Sequence, residues 1–145
     1  SITPDDVRAV VGVSKEYNVF ELQNMIGTKN LSGAVKILAR MLDTGESPIM
    51  VIVMLTRYFT TLWKIHDLRR RGTSNADLTS AVGVSPYFIN EYIAAVEKVP
   101  LHEIEYSFEV LATADELLKS SSWDQTQIMV NMLHYLMKQS ELAIA

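Results

Sequence analysis

SPIMVIVMLTRYFTTLWKIHDLRRRG, residues 47–72, is the stretch that decides the fold. Ser47 followed by Pro48 is a helix-start signal: a hydroxyl able to accept from an orphan backbone N–H, then a ring whose fixed φ suits the first helical position. Neither proline nor glycine interrupts the run until Gly72, so a single long helix to about Arg71 is expected. Its first two turns are apolar on all sides, which predicts neighbours all round and a central place in the molecule. Farther along, Arg57, Thr60, Thr61, Lys64, Asp67 and Arg71 recur at three- and four-residue spacing and mark a polar face. The most apolar run, Pro48 to Leu55, is far shorter than the ~20 residues of a bilayer span and is closed by Arg57, so it reads as a buried helix segment.

Outward from this helix the same punctuation repeats. Thr3-Pro4-Asp5-Asp6 caps a short helix ending at Gly12, and Asn18 to Ile26 with Gly27 forms a second. Asn30 caps a third, with Leu31, Ala34, Ile37, Leu38, Met41 and Leu42 at the 3.6 period and Gly45 as its stop. Ser74 starts a short helix ending at Gly83, Ser85-Pro86 starts another to about Lys98, and Pro100 opens a longer one carrying Leu101, Ile104, Phe108, Leu111 and Leu118 on one side. Asp124 caps the closing helix, with Ile128, Met132, Tyr135 and Leu136 at helical spacing. No strand-like alternation bounded by turns occurs. The expectation is an all-α single bundle of seven to eight helices with no sheet, joined by short connections.

A chain of 145 residues can bury roughly 68–70% of the surface that its unfolded form exposes, so it needs no disulfide or metal staple. Cysteine is absent, which removes thiolate metal sites and points to a reducing cytoplasm. There is no basic segment followed by an apolar one at the start, hence no secretory signal is read, and the missing initial Met suggests processing or a fragment. The seven methionines read as core filling more than as a partner surface.

Catalytic constellations are not found. His66, His102 and His134 lie on separate helices, with no carboxylate or second histidine at a ligand-like spacing, so no metal is expected. Neither a nucleophile elbow nor a phosphate-wrapping glycine loop is present, and no cofactor is expected. The carboxylate pairs Glu103/Glu105 and Asp115/Glu116 point in different directions around a helix and read as a solvated face. Asp115 and Lys119, four apart, read as a helical ion pair.

Asn75 to Tyr92 has helix-turn-helix shape, with Gly83 as the turn glycine and Leu78, Val82, Val84, Ile89 and Tyr92 at apolar positions. A helix that reads DNA must offer cations to phosphates and amides or guanidinium groups to base edges. Here Asp77, Glu91 and Glu97 outnumber Lys98, and the whole chain, with 13 basic and 17 acidic side chains, carries −4. A DNA-binding regulator using residues 75–92 therefore stands as the alternative reading. The main basic cluster is Arg57, Lys64, Arg69, Arg70 and Arg71 against Asp67, and the next-to-last helix holds Glu103, Glu105, Glu109, Asp115 and Glu116 against Lys119. Oppositely signed patches on one small domain suit head-to-tail assembly, which makes Arg57, Lys64, Arg69, Arg70, Arg71, Glu105 and Glu109 the candidate partner interface.

Several segments in order resemble the C-terminal collar domain of the bacterial DNA polymerase III clamp-loader delta subunit. They are Thr3-Pro4-Asp5-Asp6-Val7, Asn18-Val19-Phe20-Glu21-Leu22, Ala34-Val35-Lys36-Ile37-Leu38 and the corner Gly45-Glu46-Ser47-Pro48. Leu55, Arg57, Phe59 and Leu62 on the long helix, Gly83-Val84-Ser85-Pro86-Tyr87, and Ala114-Asp115 with Leu118-Lys119 complete the likeness. Thr60 stands where that family often has Arg. The resemblance implies that residues 1–16 end a preceding lid domain and 17–145 form a helical collar. It further implies a non-catalytic assembly role beside delta prime and gamma/tau type subunits, inside a parent protein of the DNA polymerase III holoenzyme. It also implies that contact with the sliding clamp belongs to an N-terminal domain outside this sequence. No sequence-specific DNA binding and no membrane association are implied.

Overall fold

The computed structural model describes residues 19–138, which hold seven α-helices and, among the described residues, no strand. Helical residues 19–27 (α1) are followed by α2 (Leu31–Asp43), α3 (Pro48–Arg70), α4 (Asn75–Val82), α5 (Ile89–Lys98), α6 (Leu101–Ser120) and α7 (Gln125–Met137). The all-α bundle expected from periodicity is what forms. The expected helix from Thr3 to Gly12, and Asn18, lie outside the described residues.

Local signals set most helix ends. Asn30 and Asp124 accept from the N–H groups of Gly33 and Gln127, each at 2.9 Å, and the Ser47 hydroxyl accepts from Met50 at 3.4 Å. Each removes one orphan donor that a helix start leaves behind. Gly83, at φ +73°, takes the left-handed conformation that ends α4. The end of α1 differs from expectation: Gly27 stays helical and Lys29, at φ +65°, makes the left-handed turn. Gly27 serves packing instead. A Cβ there would lie 2.5 Å from Tyr58 Oη and 2.9 Å from Ala95 Cβ, so only glycine lets α1 approach α3 and α5 this closely.

The core is built around α3, whose Val51, Leu55, Phe59, Leu62 and Ile65 are buried. Fully burying side chains of this size stabilises by about 1.5–3 kcal/mol each relative to leaving them exposed. α6 packs along α3, α7 along α6, α2 against α7, and α4 and α5 against α3. α3 and α6 run antiparallel: the His66 ring bonds the Val99 carbonyl at 2.8 Å near one end, while Pro48 and Ile49 share a cleft with Leu118 and Lys119 near the other. By length and composition α3 is apolar enough to cross a membrane, a property that the core helix of a bundle shares.

Three local expectations need correction. The first turns of α3 are not covered all round: Val51, Ile52 and Leu55 are buried, but Met50 is 49% exposed and Val53 is also exposed. Neighbours reach only one side there. α5 begins at Ile89 and not at Pro86; residues 86–88 form a turn in which the Ser85 hydroxyl accepts from Tyr87 N–H, and Phe88 stacks on Phe20 at 4.8 Å. Tyr135 does not join Ile128, Met132 and Leu136 in the core and is 54% exposed. The methionines follow the core reading at Met41, Met129, Met132 and Met137, Met25 and Met54 are partly buried, and Met50 is exposed.

Candidate assembly interface

Among the described residues no cluster of three or more histidine, aspartate or glutamate side chains could hold a metal ion. His66 is spent on the Val99 carbonyl, and His102 and His134 are exposed on different helices. α4, the Gly83 turn and α5 have the helix-turn-helix outline. α5 buries Ile89, Ile93 and Val96, and its exposed side presents Asn90, Glu91, Glu97 and Lys98. That face carries more acid than base and suits phosphate poorly.

The five cations of α3 divide into two groups. Arg70 and Arg71 both reach Asp67, at 3.3 Å each, and Arg69 leans across to Glu97 of α5 at 3.7 Å. These pairs largely neutralise the C-terminal end of the helix. Arg57 and Lys64, seven residues apart on one side of α3, are exposed and have no ion-pair partner among the described residues. They continue the line of exposed Met50 and Val53, giving α3 a stripe that is apolar at one end and basic at the other.

The acids of α6 divide as well. Glu105 and Glu109 stand one turn apart on its exposed ridge, without an ion-pair partner among the described residues. Asp115 pairs with Lys119 at 2.8 Å, as the i, i+4 spacing predicts. Glu103 contradicts the solvated-face reading: it is 3% exposed and paired with Lys29 at the end of α1. Two residues along a helix is a rotation of about 200°, so Glu103 and Glu105 point to opposite sides. Glu103 therefore ties α1 to α6, and the exposed ridge starts at Glu105.

The basic stripe and the acidic ridge do not lie on opposite sides of the domain. A cleft lined by Val53, Thr56 and Arg57 on α3 and by Phe108, Ala112 and Asp115 on α6 places them side by side. On the other flank of the ridge, α6 and α7 enclose a groove of about 440 Å³ whose edge carries Glu109 and three aromatic rings, Tyr106, Trp123 and Tyr135. Trp123 is 65% exposed. Sequence reading missed this groove, although a tryptophan in the polar turn Ser121-Ser122-Trp123-Asp124, with no periodic apolar partner beside it, was the available signal. Exposed aromatics grouped at one groove are the residue types that dominate protein–protein contacts, and a contiguous exposed apolar patch marks a contact site.

A second cavity, of about 240 Å³, lies between α1 and α5 over Tyr58, with Gln23, Asn24 and Asn90 among its walls. Tyr58 is 5% exposed; burial, then the Tyr92 phenol and the Glu91 carboxylate, push its phenol well above the usual tyrosine range. Tyr92, half-buried beside it, is raised for the same two kinds of reason, burial first and Glu91 second. Both phenols stay protonated at neutral pH and serve as packing groups.

The sequence model of a family described as DNA polymerase III delta subunit, C-terminal domain, matches residues 16–141. DNA polymerase III subunit delta of Bacillus subtilis (strain 168) is 25% identical over 140 residues, covering 97% of this chain and 40% of that protein. The probable DNA polymerase III subunit delta of Aquifex aeolicus (strain VF5) is 25% identical over 137 residues, covering 91% and 38%. This chain thus spans about two fifths of the length of the curated relatives it matches. Among solved structures, the Bacillus subtilis DNA clamp loader delta protein (YqeN) superposes with a TM-score of 0.75 at 24% identity, over 92% of this chain and 40% of that one, a likeness of fold.

Proposed function

This chain belongs to the family of C-terminal domains of the DNA polymerase III delta protein, and on that premise we propose that residues 17–145 act as a non-catalytic assembly collar, with residues 1–16 ending a preceding lid domain. In this reading the collar joins delta prime and gamma/tau type subunits of a bacterial clamp loader during DNA replication in the cytoplasm. Contact with the sliding clamp falls to other parts of the parent protein, and this domain reads no DNA sequence and enters no membrane.

One observation carries the proposal: the outer face of α3, α6 and α7 combines exposed Met50, Val53 and Trp123 with Arg57, Lys64, Glu105 and Glu109, none of them ion-paired among the described residues. Exposed apolar and aromatic side chains set beside unpaired charges suit a protein interface, where aromatic anchors hold and charges choose the partner. Arg69, Arg70 and Arg71 add to these charges only weakly, since Asp67 and Glu97 already occupy them.

Co-elution of this chain with the collar domains of the other loader subunits of the same organism tests it. The expected result is a stable complex that Trp123→Ala combined with Arg57→Glu weakens by about tenfold or more. Absence of any complex overturns the assembly reading. Salt-sensitive duplex DNA binding that is lost on reversing charge near Asn90 would favour the helix-turn-helix alternative instead.

A further inference from the structure

We propose that the face formed by α3, α6 and α7 is self-complementary, so that two copies of this chain close a homodimer through it when no related protein occupies it. The inference rests on reading that face as an assembly surface, and adds which partner its charge pattern fits. The starting point is register. Because α3 and α6 are antiparallel, with His66 near Val99 and Ile49 near Leu118, Arg57 lies about level with Glu109, and Lys64 lies within about a turn of the level of Glu105. Met50 and Val53 fall toward the level of Leu117 and Trp123, the far end of the aromatic groove. Cations and carboxylates thus form two parallel rows, each paired in height with the other.

A two-fold axis parallel to α6 exchanges the rows without changing any height. The α3 stripe of one copy then enters the α6–α7 groove of the other, setting Arg57 against Glu109, Lys64 against Glu105, and Met50 with Val53 against Leu117 and Trp123. The α6 ridge enters the α3–α6 cleft, and every contact is made twice, as an isologous interface requires. A two-fold axis lying across the helices would set cation on cation and acid on acid, which the charges forbid. The pattern therefore selects parallel helices.

Sedimentation velocity of the whole 145-residue chain, from about 1 to 500 µM, tests the proposal. A concentration-dependent monomer–dimer equilibrium is expected. Arg57→Glu with Lys64→Glu, or Glu105→Arg with Glu109→Arg, should each weaken it by about tenfold or more, and all four together should restore it. Since the chain has no cysteine, Arg57→Cys and Glu109→Cys proteins mixed under oxidation should cross-link to each other more readily than either does to itself. A chain that stays monomeric through this range overturns the proposal, as does a dimer indifferent to the reversals or one in which Arg57→Cys cross-links best to itself. If co-elution with the related collar domains survives while the homodimer fails, the assembly role stands and only the self-pairing falls.

Discussion

The two sides of α3 have been put to opposite uses. Toward α1 and α5 the contact at residue 27 is tight enough to require glycine, beside the cavity over Tyr58: Tyr58 Oη and Ala95 Cβ fill the space that a side chain there would need. Toward α6 and α7 the outer surface leaves Met50, Trp123 and Tyr135 about half or more in solvent, with charges nearby that have no ion-pair partner among the described residues. The inner faces of α6 and α7 belong to the core as much as the α1 and α5 side does, and only their outer surface is left uncovered. Substitutions on the two should therefore differ in kind: one set unfolds the domain, the other leaves it folded and alone.

The largest contrast pairs Phe59, 1% exposed at the middle of α3, with Trp123. Phe59→Ala removes a buried ring and should lower stability by about 4 kcal/mol, transfer and cavity terms combined. Trp123→Ala should change it by no more than about 0.5 kcal/mol, as a surface substitution. Urea unfolding of both variants measures this. Comparable losses would mean that the aromatic groove is part of the core and would break the division.

Next comes the tie between α1 and α6. Lys29→Met takes the Lys29 cation from the buried Glu103 carboxylate, and a broken pair of this kind costs about 3 kcal/mol, at the lower end because Lys29 keeps some solvent contact. Glu105→Gln, two residues along on the ridge, should move the unfolding midpoint hardly at all. If the two variants unfold alike, Glu103 is not the anchor its burial indicates. Gly27→Ala follows, at about 2 kcal/mol, since overpacking outweighs the helix propensity that alanine adds. An unchanged midpoint for Gly27→Ala would show that α1 can ride outward without cost.

Distance along the chain decides which of these features a sequence can reveal. Ser47-Pro48, Asn30, Gly83 and Asp124 act within a turn of themselves, so the helices they bound are legible from the residues alone. Glu103 and Lys29 stand 74 residues apart, and no local pattern distinguishes an acid with a distant lysine from its neighbour on the solvated ridge. The candidate cations form a visible cluster along the chain, and the i, i+3 and i, i+4 spacing makes the pairing of Arg70 and Arg71 with Asp67 legible, whereas the reach of Arg69 to Glu97 on α5 is not. The groove is invisible for the same reason: Tyr106, Trp123 and Tyr135 belong to three segments that only the α6–α7 packing brings together. Met50 and Val53 depart from the buried reading because an apolar run states what a helix tolerates, and says nothing of how many neighbours arrive.

The smallest effect concerns the buried phenol on the packed side, and its sign follows from linkage. An unfolded tyrosine titrates near 10, whereas burial, then Tyr92 and Glu91, raise Tyr58 well above that in the folded chain. The folded state thus keeps its proton where the unfolded state has lost it. The stabilisation is fully present below pH ~10 and declines as pH rises toward the folded value, at a limiting slope of about 1.4 kcal/mol per pH unit. Tyr92 adds a smaller decline of the same sign, being only half-buried. Tyr58→Phe should match the parent chain at pH 8, since no described residue accepts its hydroxyl, and should lose about 1 kcal/mol less between pH 8 and pH 11. Urea midpoints of the two proteins at both pH values give the difference directly, and the lysines common to both cancel. Parallel declines would mean that the phenol reaches solvent as it ionises, and that the α1–α5 side opens more easily than its packing implies.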